Sequence, residues 1–307
     1  MAAPFDSIIL GGGTAGLTAG IYAARENLHA LLLEKSFPGG QAAMTAHVEN
    51  YPGFPEGISG LDLMDRMQRQ AAEFGLEIRT AETTAVTRRD GLYSLDTGNG
   101  GLLAKTVIVC TGVRPRQLEV PGEREFFGRG VSTCATCDGA FFRGQEVAVI
   151  GGGDSAIEEG MYLTRFASTV HIIHRRDRFR AIKSLVKKAT GNPSIRFHLN
   201  TVVTAIEGTA GVEQLSLHNL STGGHSVLKA AGVFLYIGLI PNTELFRGFL
   251  DLNDQGFILV GRSLAASQPG VFAAGDVRDT PLRQIVTAAG DGALAAYSAG
   301  RFLDNLD

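Results

Sequence analysis

Ser7-Ile8-Ile9-Leu10-Gly11-Gly12-Gly13-Thr14-Ala15-Gly16 is an apolar run that breaks into a glycine turn, and the fold is read outward from it. Ser7–Leu10 has the character of a buried strand, and Gly11, Gly13 and Gly16 form a G-x-G-x-x-G turn directly after it. A helical pattern follows from Leu17 to about Glu26. A second apolar strand, Ala30–Leu33, ends at Glu34, 18 residues after the last glycine. Strand, glycine turn, helix, strand and terminal acid make up the context a dinucleotide-binding fingerprint requires. The glycines let backbone approach a pyrophosphate. The helix start, at Thr14 and Ala15, offers unpaired N–H groups and the positive end of the helix dipole. Glu34, with Lys35 beside it, is placed to accept hydrogen bonds from ribose hydroxyls.

The same pattern recurs in the second half. Val147–Ile150 reads as a strand, Gly151, Gly153 and Ala156 form G-x-G-x-x-A with Asp154-Ser155 inside it, and a helix runs from Ile157 to Phe166. The next strand, Thr169–Ile173, ends at His174, again 18 residues after the last small residue of the turn. The two units differ at the strand end. Where the first has Glu34, the second has His174-Arg175-Arg176-Asp177-Arg178-Phe179-Arg180. An acid repels a 2′-phosphate, whereas an arginine accepts one, often with two parallel hydrogen bonds. The first site therefore suits an unphosphorylated ribose such as that of FAD. The second suits NADP(H), through Arg175, Arg176 and Arg180. A solvated face or an RNA-binding patch is the bland alternative for this basic run, and its position at a specificity point argues against it. His174 ends the strand, and its role stays open at this point.

Between and after these units the chain repeats itself. Residues 35–60 form a long loop in which Gly40, Gln41 and Asn50 can lie along an extended cofactor, unless the loop is merely solvated. A helix from about Leu61 to Phe74 precedes three short strands (about 83–88, 92–96 and 102–105) and the strand Thr106–Cys110. Cys110, inside an apolar run, reads as a small hydrophobe. The second half has its own strands near 195–197, 201–207, 212–218 and 226–229, then Val233–Gly238. Val271–Asp276 is another strand, and its Gly275 and Asp276 stand at the carboxyl end, where open α/β sheets bind ligands. An ordinary turn acid is the alternative. A helix opening at Arg283-Gln284-Ile285 runs to about Leu303. If it completes the first sheet, the chain is an α/β protein of two Rossmann-like, three-layer ββα domains, the second inserted in the first. The first would comprise residues 1–115 and 242–307, and the second residues 116–241.

Cys134-Ala135-Thr136-Cys137-Asp138 lies just before the second glycine turn. A C-x-x-C pair lowers the pKa of one thiol and can close a small disulfide, and the neighbouring acid can move a proton. The same spacing serves zinc, but zinc needs four ligands, and the only other cysteine is Cys110. A redox pair is the better interpretation, with no metal site. Three cysteines among 307 residues form no disulfide framework and favour a reducing, cytoplasmic compartment. A net charge of −3 gives no footprint for nucleic acid or an anionic membrane, and no apolar run approaches the ~20 residues of a membrane span.

Taken together, Gly11–Gly16, Gly40-Gln41, Val48–Pro52, Cys134–Gly139, Gly151–Ala156, His174–Ala181, Gly275–Val277 and Arg283-Gln284 resemble the low-molecular-weight thioredoxin reductases, almost end to end. The resemblance implies a homodimeric FAD and NADPH enzyme whose Cys134 and Cys137 form the redox disulfide and whose Asp138 donates the proton. It implies hydride transfer from NADPH to the flavin, reduction of the disulfide, and exchange with thioredoxin begun by Cys134 while Cys137 faces the flavin. It also implies a rotation of the two domains about hinges near residues 113–118 and 238–242. Asp154-Ser155 stands where many members have Asn-Thr, a mild departure. The end at Asp307, with no appended thioredoxin, speaks against fused relatives. Two alternatives remain: a relative with another donor (ferredoxin or a second flavin) or a peroxiredoxin-type acceptor, and a flavin-containing sensor without turnover. A simple binder has no need of the cysteine pair and Asp138.

Overall fold

The structure is a computed structural model and describes residues 3–45, 48–98 and 100–306. Met1, Asp307 and residues 46 and 47 of the long loop, on which sequence expectations also fall, lie outside the described residues. In chain order the elements are β1 (Phe5–Leu10), α1 (Thr14–Arg25), β2 (Ala30–Glu34), α2 (Gly60–Glu73), β3 (Glu77–Thr80), β4 (Thr83–Arg89), β5 (Leu92–Thr97), β6 (Gly100–Val109) and β7 (Val113–Pro115). They continue with β8 (Val131–Ser132), α3 (Ala135–Asp138), β9 (Glu146–Gly151), α4 (Asp154–Leu163), β10 (Thr169–Ile173), α5 (Lys183–Thr190) and β11 (Ile195–His198). The last are β12 (Thr201–Gly208), β13 (Val212–Asn219), β14 (His225–Lys229), β15 (Gly232–Tyr236), β16 (Leu239–Pro241), β17 (Val271–Ala273) and α6 (Ile285–Asp304). The chain divides into two compact units, Met1–Arg114 with Ile240–Asp307, and Pro115–Leu239. The strands that carry the two crossings, β7 and β16, pair as a ribbon.

The first unit is built on a sheet of order β3-β2-β1-β6-β5-β4, with β17 also pairing β6. β1 is parallel to both β2 and β6. A parallel strand covered on both faces is apolar throughout, and alternate residues serve the two faces. Ile9, Leu32, Ile108 and Phe272 pack with Leu17, Ala295 and Ala299 of the helical layer. Ile8, Leu10, Leu31, Leu33, Val107 and Val109 pack on the opposite face with Tyr93, Leu95, Phe246 and Leu250. Each such aliphatic side chain contributes about 1.5–3 kcal/mol when fully buried. The architecture is α/β with parallel sheets, as the glycine turns and apolar runs require.

The second unit repeats the plan. Its five-stranded sheet has the order β11-β10-β9-β15-β8, all parallel. Ala148, Ile150, Ile173, Val233 and Leu235 face a separate three-stranded sheet, β12-β13-β14. Val147, Val149, Val170, Ile172 and Phe234 face α4.

Three local expectations need correction. The segments 102–105 and 106–110 are one strand, β6, whose first half pairs antiparallel with β5 and whose second half pairs parallel with β1 and β17. The polar break at Thr106 looked like a strand end. It is buried inside the sheet, where its hydroxyl donates to the carbonyl of Asp6 at 2.7 Å. In the second unit the equivalent stretch does break, between β14 and β15, so that meander becomes a sheet of its own. The loop of 35–60 is tied down by a 3-10 turn at Gly40–Met44 and by paired bonds between Val48 and Ile58 at 2.8 and 3.0 Å.

α6 lies on α1 at backbone contact. A Cβ on Gly292 would sit 2.1 Å from the carbonyl oxygen of Ala15, whereas one on Gly290 of the same helix would meet nothing within 4 Å. Gly292→Ala is therefore expected to lower the unfolding free energy by about 1–3 kcal/mol. Gly290→Ala is expected to raise it by about 0.5–1 kcal/mol. Denaturant unfolding of the two variants checks the opposite signs.

Candidate functional site

In the first unit the glycine turn ends in an open helix start. Gly13 caps α1, and among the described residues no side chain caps the N–H groups of its first turn. Gly16 is forced by contact: a Cβ there would lie 1.8 Å from the carbonyl oxygen of Gly11. Glu34, at the end of β2, closes the turn by accepting the N–H of Gly12 at 2.8 Å on one oxygen and that of Ser36 at 3.0 Å on the other. Lys35 and Gln41 are exposed beside it, and Gly40 lies in the 3-10 turn. Asn50 donates to the side-chain oxygen of Gln284 at 2.9 Å, joining two predicted contact residues 234 positions apart.

The C-terminal stretch reaches the same place. Gly275 and Asp276 form a 3-10 turn after β17, and a Cβ on Gly275 would touch that of Ala15 at 3.0 Å. Arg283 stacks over the Phe257 ring at 4.3 Å, and its buried Nε has no hydrogen-bond partner. Ile285 begins α6. Burial raises the Asp276 carboxyl from 3.8 to about 6, against the lowering effect of Arg283. An unpaired helix start, an orphaned guanidinium nitrogen and a carboxyl pushed towards its neutral form together describe a polar cradle that suits a flavin dinucleotide.

In the second unit Gly153 caps α4, likewise without a side-chain bond. The carbonyl of Gly152 accepts the N–H groups of Arg180 at 2.7 Å and Ala181 at 3.2 Å, so the glycine turn and the arginine loop form one piece. Asp154 supports that joint by accepting the N–H of Ile182 at 2.8 Å, while Ser155 is exposed and Gly151 is buried. Arg175, Arg176 and Arg180 are exposed, and none of their guanidinium groups has an ion-pair partner among the described residues. Three uncompensated arginines beside an open helix start fit a phosphorylated ribose. His174 has a defined place: its ring stacks on Phe179 and fills the space a Cβ on Gly152 would need, 2.3 Å away. Burial, reinforced by the charges of Arg176, Arg180 and Arg175, holds it below the ordinary histidine range.

Cys134 and Cys137 form a disulfide across the short helix α3. Ser132 accepts the N–H of Cys134 at 3.0 Å, and Asp138 donates its own N–H to the Cys134 carbonyl at 3.1 Å. Beneath the pair, the Tyr236 hydroxyl accepts the N–H of Ala135 at 2.7 Å. Burial and the charges of Glu159 and Asp138 push that hydroxyl far above the phenol range, and burial with Glu158 also raises the Glu159 carboxyl. Sequence reasoning missed Ser132, Tyr236 and Glu159. Tyr236 ends an apolar strand and reads as core there, and no spacing rule ties it to the cysteines. Cys110 is buried and burial pushes its thiol up, as befits a core residue. No helix among the described residues is long and apolar enough to cross a membrane.

The Asp276 shift has a signed consequence. Between the ordinary value of 3.8 and about 6, the folded chain holds a proton the unfolded chain has released. The stability this group contributes is complete at low pH and is lost as pH rises through that window. Relative to an Asp276→Asn variant, the ligand-free chain is expected to lose about 2 kcal/mol between pH 4 and pH 7. Urea unfolding at both pH values checks it, and a pH-independent difference would remove the buried carboxyl from the account.

Comparison with known proteins agrees with this geometry. The family model for pyridine nucleotide-disulphide oxidoreductases matches residues 5–292. The chain is 48% identical over 303 residues to a thioredoxin reductase of Mycolicibacterium smegmatis, covering 98% of this chain and 97% of that protein. It is also 48% identical over 300 residues to a bifunctional thioredoxin reductase/thioredoxin of Mycobacterium leprae, spanning 97% of this chain but 66% of that longer protein. The crystal structure of a thioredoxin reductase from Streptococcus pyogenes superposes with a TM-score of 0.90 at 41% identity, covering 99% of this chain and 100% of that one. With two glycine turns, a closed cysteine pair and full-length similarity in agreement, the chain belongs to the pyridine nucleotide-disulphide oxidoreductase family.

Proposed function

We propose that the chain is an NADPH-dependent thioredoxin-disulfide reductase with FAD as its bound cofactor. The observation that carries this is the Cys134–Cys137 disulfide, set in the same unit as a glycine turn whose three neighbouring arginines lack partners. Two relatives at 48% identity bear the name thioredoxin reductase, one of them as a fusion with thioredoxin. The first unit holds FAD through the α1 start, Glu34, Gly40, Gln41, Asn50, Asp276 and Arg283–Ile285. The second unit holds NADPH through Gly151–Ser155, Arg175, Arg176 and Arg180. When bound, FAD supplies two-electron transfer between a nicotinamide and a disulfide.

The protein's own groups complete the exchange. With the pair reduced, the Cys134 thiolate attacks one sulfur of the thioredoxin disulfide, and the other sulfur leaves and takes up a proton. Cys137 then attacks the Cys134 sulfur, releasing the second thioredoxin thiol and restoring the disulfide. The dithiol is oxidised and the substrate disulfide is reduced. Asp138, next to Cys137 in the chain, is the group that passes the proton. Phe141, close behind the pair and largely exposed, offers an apolar surface to a protein substrate. The cycle needs the units to turn about the crossings near 113–118 and 238–242, because the disulfide and the nicotinamide site share one unit. A homodimer is supported by exposed apolar residues Val286, Leu294 and Tyr297 on α6 and by exposed Tyr22 on α1. A cytoplasmic location suits a reductase whose working disulfide must be kept reducible.

Anaerobic titration of the purified protein with NADPH, followed by addition of thioredoxin, tests the proposal. About two equivalents of NADPH should bleach the flavin fully, one electron pair for the Cys134–Cys137 disulfide and one for the flavin, and thioredoxin should restore its absorbance. Flavin that NADPH leaves unbleached would overturn the choice of donor. In a Cys137→Ser variant the flavin should still bleach, while thioredoxin reduction should fall to background. Loss of both would break the proposed division of labour.

The arginines give a separate test. Replacing Arg175 and Arg176 by Ala removes charge-assisted hydrogen bonds worth about 1.5–3 kcal/mol each. KM for NADPH should rise at least tenfold, with KM for NADH nearly unchanged. Equal rises would refute recognition of a 2′-phosphate.

A further inference from the structure

Arg278 and Asp291 form a partly buried ion pair that none of the chemistry above uses. The Nε–H of Arg278 donates to one Asp291 oxygen at 2.6 Å, and an Nη2–H donates to the other at 2.8 Å. Their side chains are only 18% and 14% exposed. The first of these oxygens also accepts the N–H of Gly275 at 3.0 Å. Gly275 sits at φ +77°, and a Cβ there would meet Ala15 at 3.0 Å and Ala288 at 3.6 Å, so the turn is wedged between the start of α1 and α6. Asp276, the next residue, feels both charges, Asp291 raising its pKa and Arg278 lowering it. Stability alone is a poor reason for such a pair, since apolar replacements of a buried ion pair are often neutral or stabilising.

We propose that Arg278 and Asp291 are positioning residues of the flavin site: the pair clamps the Gly275–Asp276 turn between α1 and α6 and presents the flavin with two balanced charges. The proposal rests on the reading of the first unit as the FAD site. A reduced flavin carries more negative charge than an oxidised one. Removing Asp291 alone therefore leaves an uncompensated cation near the flavin and favours reduction. Removing Arg278 alone leaves an anion and disfavours it. Removing both restores the balance. A clamp that acts only by shape has no such sign.

The test equilibrates the flavin-loaded proteins with a redox dye, reading flavin and dye absorbance together, and compares wild type with Asp291→Asn, Arg278→Met and the double variant. Asn is nearly isosteric with Asp and keeps an acceptor for the Gly275 N–H. The expected result for Asp291→Asn is at least a tenfold rise in the reduced-to-oxidised flavin ratio at fixed dye potential, which is about 30 mV for a two-electron couple. Arg278→Met should lower the ratio about as much, and the double variant should return to within about threefold of wild type, since a balanced pair leaves no net charge behind. Shifts of the same sign in both single variants, or none in flavin-loaded protein, would overturn the proposal. If Arg278→Met does not hold FAD, Asp291→Asn and the double variant decide, because the first must rise and the second must revert. Wild-type protein that binds no added FAD would instead overturn the reading of the first unit, a result visible before any variant is made.

Discussion

Where α1 begins, three backbones touch, and the first unit depends on that contact. Gly16 lets the helix rise directly from the turn at Gly11, and Gly292 brings α6 onto the carbonyl of Ala15. No side chain fits between them. One result is mechanical: the start of α1, the Gly275–Asp276 turn and α6 are packed in direct contact. Another is topological. A helix from the end of the chain completes a site begun at residue 11, so the unit has to be discontinuous and the second unit has to be inserted. The bond between Asn50 and Gln284 shows the same closure at the rim.

The two units solve one geometric problem with different residues. At each strand end a side chain meets the second glycine of the turn. In the first unit Glu34 accepts the N–H of Gly12, which sets its carboxyl against the glycine turn. In the second His174 lays its ring where a Cβ on Gly152 would stand and stacks on Phe179. The imidazole ring takes up the space under the turn. The specificity groups move outward to the exposed loop of Arg175, Arg176 and Arg180, which is anchored by the two N–H bonds to Gly152. On the proposed reading, the choice between an unphosphorylated and a phosphorylated ribose goes with this difference at the strand ends.

Much of this was legible in the residues. Apolar runs ending in glycine turns fix parallel strands and helix starts through period and close packing, and the arginine cluster declares itself by its position. The limits were physical as well. Thr106 looked like a strand end because a buried hydroxyl satisfied by the Asp6 carbonyl has no sequence pattern. The strand β3 is edge-placed and largely polar, and the helix α5 is only eight residues long, so neither stands out from its surroundings in the sequence. Tyr236 and the Arg278–Asp291 pair were invisible because their roles lie in contacts between segments that no spacing rule connects.

The groups around Cys134 and Cys137 can be sorted by the protons they are able to release. The Tyr236 hydroxyl, raised far above the phenol range, keeps its proton at any physiological pH. It accepts the Ala135 N–H, so that N–H is not available to a thiolate, and its own O–H is the donor it can offer in return. Tyr236 therefore holds the redox helix in place and supplies a fixed dipole; it does not supply protons. Glu159, half-buried on α4 with one buried oxygen that has no hydrogen-bond partner among the described residues, is biased towards its neutral form by that burial. A proton must nevertheless reach a leaving thiolate and be replaced from solvent in each cycle. Of the three acids, Asp138 alone is adjacent in the chain to the second cysteine, and it is partly open to water. On the proposed reading, the proton therefore passes through Asp138.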